Sequence, residues 1–439
     1  MKIKINNAVA AATFALCLGA VACGGVQKPT TNPTGEQVKP PVEEVELDPT
    51  LIKSDGNDGG KTEVVESSDV FKSAQSAFRK RQYDEALKHY AVIIEHFQDS
   101  DYYLAALYNS GLAYDFLKRH EEACQMYRRV IKEFRGRSEA TDAFFRLAAS
   151  LGELEQHAEV LEVLDETVER TGLTLADRIE AQTRRGDALY GLGKFSEAEA
   201  AYRQTLMTHK RADPDNALPD DSYFVVGAQY GVARVYQRLF EDIKFKLPVE
   251  RMEKDLDDKI QLFQQAQGLF IRTIRKGHPY WTTASRYQIA NMYEAFYADL
   301  LASEIPELTD EEAELYFEEL REKLRPLMEQ ALQYYEKTII LSERQGVDNE
   351  YTERTQKALE RLKGYLTDPE AQARDEDAVR AGENVGGLGD DAPKPPAPKP
   401  MGDGEGDEKD PDESDKDGPD SIKMPKRDLQ HDSHRHGAG

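Results

Sequence analysis

Between residues 67 and 366, apolar and small residues recur at helical spacing rather than in the alternating pattern of strands. A small or β-branched residue has an aromatic residue or histidine three positions earlier and an aromatic residue or leucine four positions later. This pattern occurs as Tyr83-x-x-Ala86-x3-Tyr90, His120-x-x-Ala123-x3-Tyr127, His157-x-x-Val160-x3-Leu164 and Phe195-x-x-Ala198-x3-Tyr202. The central residues are 37, 37 and 38 positions apart. A fixed period of this length predicts a helical repeat.

A second small residue lies twelve positions before each central residue. These residues are Ala74, Gly111, Ala148 and Gly186. Two such positions in one period predict two amphipathic helices that cross closely, with the aromatic side chain filling the space between units. The pattern therefore predicts an all-α fold, with units one to four in residues 67–212.

Two further units, predicted in residues 213–366, have longer spacing. Their paired motifs are Ala233-x-x-Tyr236 with Ala266-x3-Phe270, and Ala290-x-x-Tyr293 with Ala331-x3-Tyr335. Insertions at about 240–257 and 297–324 separate the halves, and the second insertion is rich in Glu and Asp. We expect both to be extended or extra helices. Residues 351–366 are predicted to be a capping helix, because terminal repeats need a polar outer face.

The first 22 residues have the pattern of an export signal. Lys2 and Lys4 precede an apolar stretch over residues 8–22, which is too short to span a bilayer as a helix. The small residues that lead to Cys23 resemble a bacterial lipobox, which implies that Cys23 is acylated and becomes the new N-terminus. Gly24 implies, by the same resemblance, sorting to the outer membrane. The alternative is ordinary signal cleavage after Ala22 without a lipid.

Residues 23–66 and 367–439 are rich in Pro, Gly and acidic residues and show no helical period. Because such segments bury too little apolar surface to offset the entropy of ordering, we predict a disordered linker and a disordered tail. Three histidines near the end of the tail are interpreted as solvated side chains rather than as a metal site.

The net charge of −25 argues against nucleic acid as a partner, since binding to phosphates requires concentrated Lys and Arg. After processing, Cys124 would be the last free thiol, and its apolar neighbours predict a buried, inert side chain. No phosphate-binding loop, nucleophile elbow, zinc motif or Cys-x-x-Cys occurs. The sequence therefore predicts no enzyme, no cofactor, no metal and no small-molecule substrate.

The paired small and aromatic positions resemble tetratricopeptide repeats, and the longer period is similar to that of periplasmic repeat proteins of the bacterial envelope. This resemblance implies an α-solenoid of about six helix pairs. It also implies a lipid-anchored scaffold at the outer membrane that faces the periplasm, with a surface-facing orientation left open. Its partners would be other envelope proteins, in a complex for division, motility or export. The alternative is a component of outer-membrane β-barrel assembly.

In such repeats the residue three positions before the small residue of each first helix points into a concave groove. These residues are Phe71, Tyr108, Phe145, Thr183, Tyr230 and Tyr287, and neighbouring groove positions hold Asp115, Asp187, Arg234, Asn291 and Glu294. Exposed aromatic rings beside polar groups suit an extended peptide or a partner helix. The alternative is that the rings pack between adjacent first helices and form only the floor of the groove.

Overall fold

The computed structural model describes residues 50–54, 62–304 and 308–367. Two strands, β1 (Thr50–Ser54) and β2 (Thr62–Glu66), precede the helices. The first eight helices are α1 (Ser67–Arg79), α2 (Tyr83–His96), α3 (Tyr103–Phe116), α4 (His120–Glu133), α5 (Glu139–Glu153), α6 (His157–Val168), α7 (Leu175–Gly191) and α8 (Phe195–Lys210). A short 3₁₀ turn (Pro214–Asn216) leads to α9 (Tyr223–Asp242), α10 (Val249–Arg275), α11 (Pro279–Leu301), α12 (Asp310–Gln345) and α13 (Glu350–Thr367). The described helices form six consecutive pairs and a final single helix, which confirms the predicted α-solenoid.

Each of the first four pairs is joined by the same tight turn. The second residue after the first helix adopts a left-handed conformation, with φ between 58° and 72° at Arg81, Lys118, Glu155 and Gly193. The next backbone N–H donates back to a carbonyl of the first helix over 2.9 Å in every turn, as from Gln82 to Ala77 and from Lys194 to Leu189. This arrangement satisfies carbonyls that the helix end leaves free and fixes the angle at which the second helix returns.

Small residues lie where the two helices of a unit cross. A Cβ atom placed on Gly111 would lie 2.5 Å from the ring of Tyr127, and one on Gly186 would lie 2.5 Å from the ring of Tyr202. Both rings are buried, as is Tyr90 in the first unit. The predicted pairing of a small residue on the first helix with an aromatic residue on the second therefore accounts for the packing of these units.

The third unit keeps this packing with aliphatic side chains. Val160 and Leu164 on α6 are both buried, although they replace the alanine and the aromatic residue of the other units. The helix pair therefore needs apolar volume at these two positions more than it needs a particular residue type.

The two predicted insertions are extensions of long helices rather than separate elements. α10 has 27 residues and α12 has 36 residues, and both begin inside the predicted insertions. The N-terminus of α12 is fixed by a capping box, in which Thr309 accepts from the backbone N–H of Glu312 and the Glu312 carboxylate accepts from the backbone N–H of Thr309.

A buried lysine holds the fifth pair together. The Nζ atom of Lys259 on α10 donates to the carbonyls of Phe240 and Ile243 over 2.7 and 2.9 Å. Its third partner is the Asp299 carboxylate of α11 at 2.7 Å. Burial lowers the pKa of Lys259, while Asp299 opposes that shift. The three donors of the ammonium group are thus all used, and they join the C-terminal end of α9 to the two following helices.

Helix α13 closes the array. The ring of Tyr351 lies 5.8 Å from that of Tyr287 on α11, and Arg361 pairs with Glu294. Tyr280 donates to the Glu350 carboxylate over 2.6 Å. The last helix therefore covers α11 in the way that the next unit would.

The segment predicted as a linker through residue 66 contains a hairpin that the sequence analysis did not expect. β1 and β2 pair in antiparallel register, with Thr50 opposite Glu66 and Ser54 opposite Thr62. Leu51 and Val65 are directly opposed and pack against the apolar cluster of the first units. Each strand has only five residues, so its alternation was too short to be distinguished from linker sequence. The export signal, Cys23 and the tail after residue 367 lie outside the described residues.

Candidate partner-binding surface

The six predicted groove residues are buried, so they lack the exposure that direct binding of a partner would need. Phe71 is 0% exposed, and Tyr108, the most exposed of the six, reaches only 5%. The six are Phe71, Tyr108, Phe145, Thr183, Tyr230 and Tyr287. In this chain they offer almost no area to a partner, and their burial fits the alternative in which they pack between helices.

The aromatic groove residues contact other aromatic rings of the chain instead. Phe71 stacks on Tyr102 with ring centroids 4.9 Å apart, and so connects the first unit to the residue that precedes α3. Tyr108 meets Tyr127 edge to face at 5.9 Å. Tyr230 lies 4.8 Å from Trp281 of the next unit. The first and third of these aromatic pairs stabilise the stacking of units, whereas Tyr108 and Tyr127 join the two helices of one unit.

Tyr287 likewise lies 5.8 Å from Tyr351, whereas Thr183 and Phe145 have no such ring contact within the described residues. The hydroxyl of Thr183 donates to the carbonyl of Ile179 over 2.8 Å and lies 3.2 Å from the carbonyl of Phe224. Phe145 belongs to the apolar cluster of the first units. Both side chains therefore also serve the interior of the array.

The predicted polar groove residues are also used within the chain. Asp115 accepts from the hydroxyls of Tyr127 and Ser150, each over 2.8 Å, and lies 3.1 Å from Nδ1 of His120. Ser150 belongs to the following unit, so one carboxylate connects two helix pairs.

The same type of bond recurs further along the array. Asp187 accepts from Tyr202 over 2.7 Å, and Glu294 accepts from Tyr335 over 2.6 Å. Burial raises the pKa of Asp187, while the bond to Tyr202 opposes that shift. In each of these units a carboxylate on the first helix holds a tyrosine of the second.

Arg234 and Asn291, the last two predicted residues, are also engaged or buried within the chain. The guanidinium of Arg234 lies 4.3 Å from the ring centre of Tyr190, in cation–π contact with the preceding unit. Asn291 is 3% exposed. None of the predicted site residues within the described chain is therefore fully free for a partner.

A different set of residues on the first helices stays accessible, and the sequence analysis missed it. We call it the α5–α7 charged strip: Asp142, which is exposed, and Arg146, Asp177 and Glu180, which are partly exposed. Glu180 pairs at 2.8 Å with Arg184, which is itself buried. The pKa of Asp142 is raised by its partial withdrawal from water and by Asp177 and Glu180, while Arg146 lowers it. Helices α5 and α7 are in contact, and the acids of both helices therefore influence one another.

The signal that could have identified the strip is local. Asp142 with Arg146 and Glu180 with Arg184 are acid–base pairs four residues apart on the first helices of adjacent units. On a single helix, such a pair is typical of an ordinary solvated face. Their alignment across α5 and α7 depends on the stacking of the units, which is not visible from one helix alone.

The charged strip suits recognition of protein rather than chemistry. Carboxylates can accept backbone N–H groups of a partner, and guanidinium groups can donate to its carbonyls. Mixed charges favour the correct register and partner more than raw affinity. Among the described residues, no group of three or more His, Cys, Asp or Glu side chains is placed to hold a metal.

Two further features bear on reactivity and location. Burial raises the pKa of Cys124 to about 11, so its thiol stays protonated near neutral pH. Within residues 50–54, 62–304 and 308–367, no helix is long and apolar enough to cross a membrane.

Comparisons with known proteins agree with the repeat architecture. The sequence model of the tetratricopeptide repeat-like domain family matches residues 57–218, which is less than half of the chain. No curated protein matches the sequence.

Solved structures with a similar arrangement include MamA from Desulfovibrio magneticus RS-1, which is 16% identical with a TM-score of 0.31 and covers 45% of this chain and 93% of its own. YrrB, described as a TPR protein with an unusual peptide-binding site, is 18% identical with a TM-score of 0.30 and covers 46% and 84%. The C-terminal part of a TPR repeat-containing protein from Cytophaga hutchinsonii is 14% identical with a TM-score of 0.37 and covers 69% and 98%. The family match over residues 57–218, together with the helix pairs described above, shows that this chain contains a tetratricopeptide repeat-like domain.

Proposed function

We propose that this chain is a non-enzymatic scaffold that binds protein partners on the α5–α7 charged strip. The observation that carries the proposal is the contrast along the first helices: the aromatic residues are buried, whereas Asp142 is exposed and the other residues of the strip are partly exposed. Because the rings already hold the units together, the accessible charges are the groups left to select a partner.

We further propose that the scaffold is held at the outer membrane by a lipid on Cys23 and faces the periplasm, where it serves an envelope complex for division, motility or export. The sequence order that resembles a lipobox supports this part. The acidic segment between residues 310 and 322, with seven acidic residues and one basic residue, offers a second surface for basic partners.

The partner-binding part is tested by neutralising the strip. We expect Asp142→Asn/Arg146→Gln to reduce recovery of crosslinked partners in a pull-down from intact cells. Glu162 is exposed on α6, on the second helix of the same unit, and Glu162→Gln should recover as much as the wild type. Circular dichroism must show equal helicity for all three proteins. Equal recovery from the strip variant would exclude the strip as the binding surface.

The anchoring part is tested separately. We expect Cys23→Ser to move the protein from the membrane fraction to the soluble fraction without changing its helicity. If the variant stays in the membrane fraction, the lipid at Cys23 is not the anchor. The pull-down result does not depend on this outcome, since the strip lies more than a hundred residues from the lipid site.

A further inference from the structure

Helix α11 carries a charged residue at a position that is apolar in the first units. Counting back four residues from the small residue of each first helix gives Val70, Leu107 and Phe144 in units one to three. All three are buried. In the sixth unit the same count from Ala290 gives Arg286. In units four and five the count gives Gln182 and Gln229, so the position is apolar or neutral in the other five units and charged in the sixth.

Within the described residues, no carboxylate neutralises this arginine. The Nε atom of Arg286 is buried and has no hydrogen-bond partner there. Burial lowers the pKa of the guanidinium, and Tyr334 is the one group that opposes the shift. Arg286 as a whole is partly exposed, but even a partial withdrawal of its charge from water without a counter-charge costs free energy. Packing alone thus gives no reason for an arginine at this position.

Tyr334 on α12, which interacts with Arg286, connects it to neutral polar groups on α10 and α11. The amide of Gln267 on α10 donates to the hydroxyl of Tyr293 on α11 over 3.0 Å. The ring of Tyr293 lies 5.9 Å from that of Tyr334 on α12. Thr282, one helical turn before Arg286, has a buried hydroxyl without a partner in the described part of the chain. These groups are hydroxyls and an amide, and none of them is an acid.

The geometry points to a carboxylate-binding site at Arg286, between α10, α11 and α12, for an Asp or Glu side chain or a C-terminus of a protein partner. A guanidinium matches the two oxygens of a carboxylate in a planar, bidentate pair. One cation with neutral donors balances a monoanion, whereas a phosphate dianion would need further positive charge. The site lies apart from the charged strip, and it does not rest on the function proposed for the strip.

Acetate is a direct probe of this site in the full chain. The Nε–H signal of Arg286 can be assigned by its loss from the ¹⁵N spectrum of Arg286→Met. We expect this signal to shift and saturate as acetate replaces chloride at constant ionic strength, up to about 0.2 M, roughly ten times the ~20 mM Kd of one charge-assisted pair. An unmoved signal would overturn the proposal, and so would tighter saturation by phosphate.

A second measurement separates binding from folding. Arg272 is exposed on the neighbouring helix α10 and provides a matched control. We expect acetate to raise the Tm of the wild type and of Arg272→Met relative to chloride, but not that of Arg286→Met. In chloride, Arg286→Met should unfold no earlier than the wild type, because it removes an unpaired charge. A lower Tm for Arg286→Met, with equal acetate protection in all three proteins, would show that Arg286 is structural.

Discussion

Glycines inside the helices of this chain have two opposite roles at the scale of the residue. Gly111 faces the ring of Tyr127 and leaves no space for a methyl group, whereas Gly268 in α10 has nothing near the position of its missing Cβ. Glycine weakens a helix interior. Packing against Tyr127 explains a glycine at position 111, whereas no contact requires one at position 268.

Alanine substitutions at these two glycines should therefore change the free energy of unfolding in opposite directions. We expect Gly111→Ala to lower the free energy of unfolding by about 1–3 kcal/mol through overpacking. Gly268→Ala should raise it by about 0.5–1 kcal/mol. Urea unfolding followed by circular dichroism measures both. If the two variants shift in the same direction, close contact with Tyr127 is not what selects glycine.

The buried tyrosines predict how stability changes at alkaline pH. Burial and the bond to Asp187 raise the pKa of Tyr202 well above 10, while the unfolded residue ionises near 10.0. The stabilisation by the neutral phenol is thus complete below pH 10. Above pH 10 it decreases by about 1.4 kcal/mol per pH unit, because only the unfolded chain loses the proton.

Above pH 10, the loss of stability per pH unit should be smaller in Tyr202→Phe than in the wild type by about 1.4 kcal/mol. Tyr316 is exposed, so Tyr316→Phe should leave the pH dependence unchanged. At pH 8, Tyr202→Phe should also cost about 1–3 kcal/mol, because Asp187 loses its donor. Urea unfolding at several pH values from 8 to about 11 gives both quantities. Equal slopes for the two variants would contradict the assignment.

At the scale of the element, Lys259 determines how α9, α10 and α11 meet. Its side chain is fully buried and satisfies two carbonyls near the end of α9 as well as Asp299. Replacing it by an apolar residue leaves these acceptors without their donor.

We expect Lys259→Met to lower the free energy of unfolding by about 3 kcal/mol. Lys254 is exposed on the same helix, and Lys254→Met should change stability by less than about 0.5 kcal/mol. Thermal and urea unfolding provide the comparison. A small effect at Lys259 would mean that water or neighbouring side chains satisfy the same carbonyls.

The sequence was sufficient to predict the helix pairs but not the exposure of their faces. The period of small and aromatic residues predicted α1 to α8, because those residues pack within one unit. The burial of Tyr108 and Tyr287 depends on how closely successive units stack, which no single repeat encodes. The β1–β2 hairpin was missed because its strands are short, and the charged strip was missed because it exists only across two units.

At the scale of the whole molecule, the array is held by contacts between successive elements. Stability in such an array is approximately a sum of local terms. A destabilising change in one unit should therefore be felt most in its neighbours.

Hydrogen exchange tests this expectation. Gly111→Ala should reduce amide protection in α1 to α6 more than in α9 to α13, whereas Lys259→Met should do the reverse. Uniform loss of protection in both variants would indicate one cooperative unit instead.

The central claim is that the accessible charges of α5 and α7, rather than the buried rings, contact the partner. Site-specific photo-crosslinking in intact cells tests it most directly, with a photoreactive side chain placed at position 142 on α5 or at position 162 on α6. The account predicts a discrete adduct from position 142 and none from position 162. Adducts of equal yield from both positions, or an adduct from position 162 alone, would contradict it.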